Sequence, residues 1–236
     1  MKFNGIFAKP EANAPVGGSI GEYGIVSYSQ EGEDLVLRRF LKDETKGFYV
    51  DVGAHHPQRF SNTYYFYQKG WRGINVDADP DLVKEFDARR PRDINITAGV
   101  GSDGRELTFY VFNEKALNTF DQEIARKHSK IMDYSIVEER TIKIVTLSKI
   151  LDKHLPNKQR IDFMSVDVEG NDLDVLKSNN WDIYRPRFLL VECHNISSIP
   201  AIMKDKLVTY LFRQRYIPVA KTLLTVIFTD TDLYES

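Results

Sequence analysis

The residues best equipped for chemistry stand in four short polar clusters, each closing an apolar run: YVDVGAHHP, NVDADP, SVDVEGND and VECH. In the first, Gly53 lets the backbone turn sharply and approach a ligand with no Cβ in the way. Asp51 just before it can accept hydrogen bonds from a loop or from a ligand ammonium. By itself this pattern is also that of an ordinary strand-to-loop turn. In the second cluster Asp77 ends the next apolar run, where one carboxylate can accept both hydroxyls of a nucleoside diol. Asp79 suits the cap of a following helix. A dinucleotide site would need further glycines to admit a pyrophosphate, but Gly53 is followed by Ala54, His55, His56 and Pro57. The pattern therefore favours a ligand without a pyrophosphate, such as S-adenosylmethionine, over the nicotinamide cofactor of a dehydrogenase.

In the third cluster Asp167 and Glu169 stand two apart, so an extended chain points both to one side. Burying two carboxylates without partners is costly, so they are expected to meet a cation, hydrogen-bond donors or a ligand. Helix capping is the plainer alternative, and Asn171 or Asp172 suits that job. In the fourth, Glu192 and His194 repeat the two-residue spacing. If these last two strands are neighbours, Asp167, Glu192 and His194 converge. Two chemistries are then open: proton abstraction by Asp167 or His194, or a magnesium-like ion (Mg2+) held by Asp167 and Glu192. His55 and His56 are adjacent and point apart, which disfavours one shared metal; they read as loop residues, one of them lining a pocket.

Elements that alternate in type must hold these clusters. Residues 27–42 form an apolar stripe with Ser29 as candidate cap and Glu31 and Glu33 in the first turn. A buried strand over 48–52 follows, then a helix near 61–70 closed by Gly70. A strand at 73–77 leads to a helix opened by Pro80, and further strands lie at 94–101 and 106–112. Residues 113–140 are polar and read as a partly helical substrate loop or lid. A strand runs into a helix over 141–155. Strands at 161–170 and 185–194 alternate with helices at 171–180 and 203–215, and two last strands pair antiparallel. Strand–helix alternation predicts an α/β fold: a mostly parallel, doubly wound sheet with an antiparallel C-terminal edge. Ligands of such sheets sit beyond the carboxyl ends of the strands, near the point where strand order reverses.

The chain has 236 residues, enough for one such domain. Residues 1–27, rich in Gly, Pro and Ala, read as an irregular arm or lid, and residues 28–236 as the domain. The net charge of −2 argues against general binding of a phosphate backbone, so nucleic acid is not an expected partner. The single cysteine, Cys193, permits no intramolecular disulfide and no thiolate zinc cluster. It is expected to be buried at a strand end, and a reducing, cytoplasmic setting fits. No apolar run approaches the roughly 20 residues of a membrane span, and the N-terminal stretch lacks the apolar core of a signal peptide.

The segments YSQEGEDLVL, FYVDVGAHHPQRFSNTYYFYQKGWRGINVDADP, IDFMSVDVEGNDLDVLK and FLLVECH, in this order over residues 28–195, resemble the FkbM family of methyltransferases. The resemblance implies a Rossmann-like class I methyltransferase fold and O-methylation with S-adenosyl-L-methionine. It puts Asp51 and Gly53 in the cofactor loop, makes Asp77 the ribose acid, and sets Gly101 and Ser102 beside the adenine. Gln30, Glu33 and Asn62 would lie over the methionine end or the acceptor, and Asp167 and Glu169 match the family's D-x-E-G. The common family loop is closer to D-x-G-A-N-x-G; the HHP of this chain resembles a subgroup. Acceptors implied are sugar or glycan hydroxyls, with a secondary metabolite as the other enzymatic possibility. An inactive nucleoside-binding domain is the non-enzymatic one.

Overall fold

The computed structural model describes residues 23–42, 44–102, 104–131, 133–193 and 198–234. Most of the expected N-terminal arm, and His194, lie outside them. Helix α1 (Glu33–Phe40) leads to β1 (Phe48–Val52), α2 (Tyr64–Gln68), β2 (Arg72–Asp77), α3 (Pro80–Arg89) and β3 (Ile94–Thr97). Next come β4 (Gly99–Val100), β5 (Glu106–Phe112), a 3-10 turn (Lys115–Leu117), α4 (Gln122–His128) and β6 (Ile136–Val145). The chain continues through α5 (Leu147–His154), β7 (Phe163–Val166), α6 (Asp172–Lys177) and β8 (Phe188–Glu192). It finishes with α7 (Ile199–Ile202), α8 (Lys206–Arg213), β9 (Tyr216–Lys221), β10 (Thr225–Asp230) and α9 (Thr231–Tyr234).

Seven strands form the main sheet in the order β3-β2-β1-β7-β8-β10-β9. The first five are parallel, and β10 runs antiparallel to both of its neighbours. This is the Rossmann-like α/β fold expected, with its antiparallel C-terminal edge. The chain builds outward from β1 to β3 and then returns to add β7 on the other side, so order reverses between β1 and β7.

Alternation along β1 divides the core between two faces. Phe48, Val50 and Val52 pack with Ile150 and Leu151 of α5, Leu176 of α6 and Leu211 of α8. Tyr49 points the other way and joins Leu37 of α1, Phe66 of α2, Trp71 and Phe163. Burial on both faces is why these strands read as continuous apolar runs.

Several local expectations are corrected. Helix α1 starts at Glu33, capped by Gly32 in the left-handed region at φ 86°. Ser29 stands outside the helix, although its Oγ accepts from the Asp34 amide at 3.2 Å. The apolar stretch near residue 94 is split: β3 ends at Thr97, and β4 leaves for a second, three-stranded sheet of order β4-β6-β5. Residues 113–140 hold the 3-10 turn, α4 and the start of a long strand, because β6 begins at Ile136 and pairs antiparallel with β5. Its exposed, charged alternation (EER) hid it from a reading based on apolar residues.

Candidate active site

A cleft enclosing about 920 Å³, its open mouth included, lies where strand order reverses. The carboxyl ends of β1, β2 and β7 supply Gly53, Asp77 and Asp167 to its lining. Its apolar lining includes Ala78, Leu82, Ala98, Val100, Phe109 and Phe120. Its polar lining includes Gln30, Asn62, Ser165 and Glu169.

Gly53 is required by contact within the protein. Its φ is +79°, and a Cβ added there would overlap the carbonyl oxygen of Asp167. Its amide and that of Ala54 donate to the Val76 carbonyl at 2.9 and 3.1 Å. The ends of β1, β2 and β7 are thereby drawn together.

Asp77 receives one amide on each oxygen: His55 N on Oδ2 at 2.9 Å and Asp79 N on Oδ1 at 2.8 Å. Burial raises its pKa to about 6 against the pull of those two amides. Asp51 is likewise raised to about 6 by burial, opposed chiefly by the charge of Arg90. Thr63 Oγ1 donates to Asp51 Oδ2 at 2.9 Å. Arg90 is wholly buried; it donates to Thr63 Oγ1 and Ser61 Oγ at 2.8 and 2.7 Å and to the Pro57 carbonyl at 2.8 Å. This arginine holds the loop from Pro57 to Thr63 against α3. Sequence reasoning missed it, because Arg90 at a helix end looks like any solvated cation.

Asp167, Glu169 and Glu192 come together, each offering a carboxylate oxygen within 4.8 Å of the others. Their convergence does not come from an extended strand. β7 ends at Val166, and Glu169 adopts a left-handed φ of 53°. Asp172 shapes this turn by accepting the amides of Val168 at 3.0 Å and Gly170 at 3.2 Å. Asn171 makes no side-chain cap to α6. Burial first, then the charges of Glu192 and Glu169, push Asp167 well above the ordinary carboxylate range. Glu192 is pushed up in the same way by burial and then by Glu169.

The remaining expected residues divide. Gln30 and Asn62 line the cleft, and Asn62 donates to Ser165 Oγ at 3.1 Å. Glu33 is buried outside the lining, where its Oε1 accepts from Thr222 Oγ1 at 2.8 Å. Its neighbour Glu31 accepts the Leu224 amide at 2.7 Å, and both acids thus grip the turn between β9 and β10. Gly101 and Ser102 also lie outside the lining. Ser102 gives its amide and its hydroxyl to Asp174 at 2.9 and 2.7 Å, which turns this loop toward α6. Cys193 is buried as expected, its thiol pushed up to about 12 by that burial.

The hairpin of β5 and β6 carries residues that had no signal of their own. Phe109, Lys115, Ala116, Asn118 and Phe120 all line the cleft. Lys115 Nζ and Arg140 Nη1 both pair with the buried Asp79, at 3.0 and 3.1 Å. Arg59 pairs with Glu114 at 3.1 Å. Asp79 also caps α3 through the Asp81 amide, as its position suggested.

Among the described residues no helix is long and apolar enough to cross a membrane. No curated protein matches the chain. The family model described as the Methyltransferase FkbM domain matches residues 51–218, from the Asp51 strand end through the sheet's antiparallel edge. The chain belongs to the FkbM methyltransferase family.

Proposed function

We propose that residues 28–236 form an S-adenosylmethionine-dependent O-methyltransferase domain acting on a hydroxyl of a sugar or glycan, in the reducing cytoplasm. The observation that carries the cofactor assignment is the buried Asp77 carboxylate beside an apolar wall at the reversal of strand order. Two backbone amides already orient Asp77, and its remaining lone pairs suit the two hydroxyls of a ribose. Ala78, Leu82, Val100, Phe109 and Phe120 suit the faces of an adenine. Asp51, Gln30 and Asn62 flank the other end, fit for an amino acid moiety.

When bound, S-adenosylmethionine supplies a methyl group made electrophilic by its sulfonium. The protein's part is to hold the acceptor oxygen in line with that methyl and to take the acceptor's proton. Asp167 is the proposed base: a carboxylate raised by its surroundings is a stronger proton acceptor than a solvated one. His194, two residues beyond Glu192, is the alternative. A divalent ion such as Mg2+ is a second way to balance the cluster. Asp167 and Glu192, with Glu169 beside them, would hold it through oxygen ligands and acidify a bound hydroxyl. The polar lining residues Gln30, Asn62, Ser165 and Glu169 support a hydroxyl-rich acceptor; a hydroxylated secondary metabolite is the other candidate.

Calorimetric titration with S-adenosylmethionine and S-adenosylhomocysteine tests the cofactor. Micromolar binding is expected, and Asp77→Ala should abolish it; a variant that binds as tightly as the wild type would remove Asp77 from the site. Asp167→Asn should lower turnover by roughly 10²-fold or more in a sugar-acceptor assay run with EDTA or with added magnesium. Unchanged turnover of this variant in both conditions would sink the role of Asp167.

A further inference from the structure

The two adjacent histidines of the cofactor loop do different work. His56 belongs to the loop itself: its Nδ1 accepts the amides of Gln58 and Arg59 at 3.0 and 2.9 Å. His55 lines the cleft. Its backbone is left-handed at φ 53°, a conformation that costs a side-chain-bearing residue energy, and its amide is committed to Asp77. Both ring nitrogens are removed from water and have no hydrogen-bond partner among the described residues. A buried imidazole in that state carries a desolvation penalty that no hydrogen bond from the described residues offsets. Burial, with Arg59 and His56 adding to it, lowers its pKa to about 4, so the ring is uncharged at neutral pH. A neutral imidazole offers one donor and one acceptor, the pair that a ribose hydroxyl or an adenine edge can satisfy.

We infer that His55 is a ligand-binding residue of the cleft, its imidazole hydrogen-bonding the nucleoside whose diol Asp77 accepts. The inference rests on the S-adenosylmethionine assignment above. It explains why a strained backbone position carries a ring whose nitrogens no described residue uses, while His56 takes up two amides of the turn.

Glycine adopts the left-handed conformation freely, so His55→Gly removes the ring and leaves the loop unstrained. Asparagine tolerates the same backbone and returns a short polar group. S-adenosylhomocysteine is titrated into wild type, His55→Gly and His55→Asn, with adenosine as a truncated probe. Loss of one neutral hydrogen bond should weaken both ligands roughly tenfold in His55→Gly, with partial recovery in His55→Asn. In the wild type, the imidazole proton resonance that is missing from His55→Asn should shift on saturation with either ligand. This second measurement decides the matter even if His55→Gly does not fold. If wild type binds and His55→Gly binds equally well, or the resonance stays in place, the role of His55 is overturned and the cofactor assignment stands. If wild type binds neither ligand, the assignment fails and the inference fails with it.

Discussion

Asp51 carries opposing demands. Arg90 and Thr63 favour its charged form, yet burial wins and the folded pKa rises to about 6. A carboxyl raised in the folded state contributes stability that is fully present below its unfolded pKa of about 3.9 and is lost as pH rises through about 6. Asp51→Asn imitates the protonated form. It should therefore gain stability over wild type at pH 7.5, by roughly 1–3 kcal/mol, and show little difference at pH 4. Urea denaturation at the two pH values measures this; a gain of equal size at both would mean that the proton on Asp51 is not the cause. Asp77 follows the same direction, whereas His55, lowered by burial, opposes it, since folding is disfavoured once pH falls below its ordinary value. The contrast between Asp51→Asn and wild type isolates one carboxyl from the rest.

Among the elements, the β5–β6 hairpin has the clearest mechanical part. It contributes Phe109 and Phe120 to the cleft and is fastened to the β2–α3 corner and to the loop after β1 by the ion pairs of Asp79 with Lys115 and Arg140 and of Glu114 with Arg59. Lys115→Met should raise the dissociation rate of S-adenosylhomocysteine several-fold while stability changes by within ~1 kcal/mol, because Arg140 still neutralises Asp79. Stopped-flow displacement reads the rate; an unaltered rate would mean that this fastening does not govern release. The hairpin also marks where the sequence became hard to read. Strands buried on both faces, such as FYVDV and FMSV, announce themselves as apolar runs, and the acids at their ends could be named from position alone. β6 alternates exposed charges with small apolar groups, so its first half looked like a loop. Arg90, Ser165 and Phe120 reach the site through tertiary contacts that no spacing encodes. Glu33, Gly101 and Ser102 had suitable types and places, but each is spent on a structural partner or stands outside the lining.

At the scale of the molecule, the proposed function divides the sheet. The half from β3 to β1 ends in Asp51, Gly53 and Asp77, proposed for the nucleoside, and the half from β7 to β8 ends beside the clustered acids proposed for the acceptor. Gly53 against the Asp167 carbonyl is the joint between the halves. On the proposed reading, cofactor and acceptor would meet at two strand ends in direct backbone contact.

The grip of Glu31 and Glu33 on the β9–β10 turn bears on how the molecule comes into being. Glu31 and Leu224 are 193 residues apart in sequence. A chain emerging from the ribosome has made Gln30 and most of the cleft wall long before the turn that anchors them exists. Closing so long a loop is entropically late. The parallel sheet can assemble as it is synthesised, while the segment around Gln30 waits for the final strands. A C-terminally shortened chain would thus keep the five parallel strands, while Glu31 and Glu33, beside the cleft residue Gln30, would lack the turn that they hold.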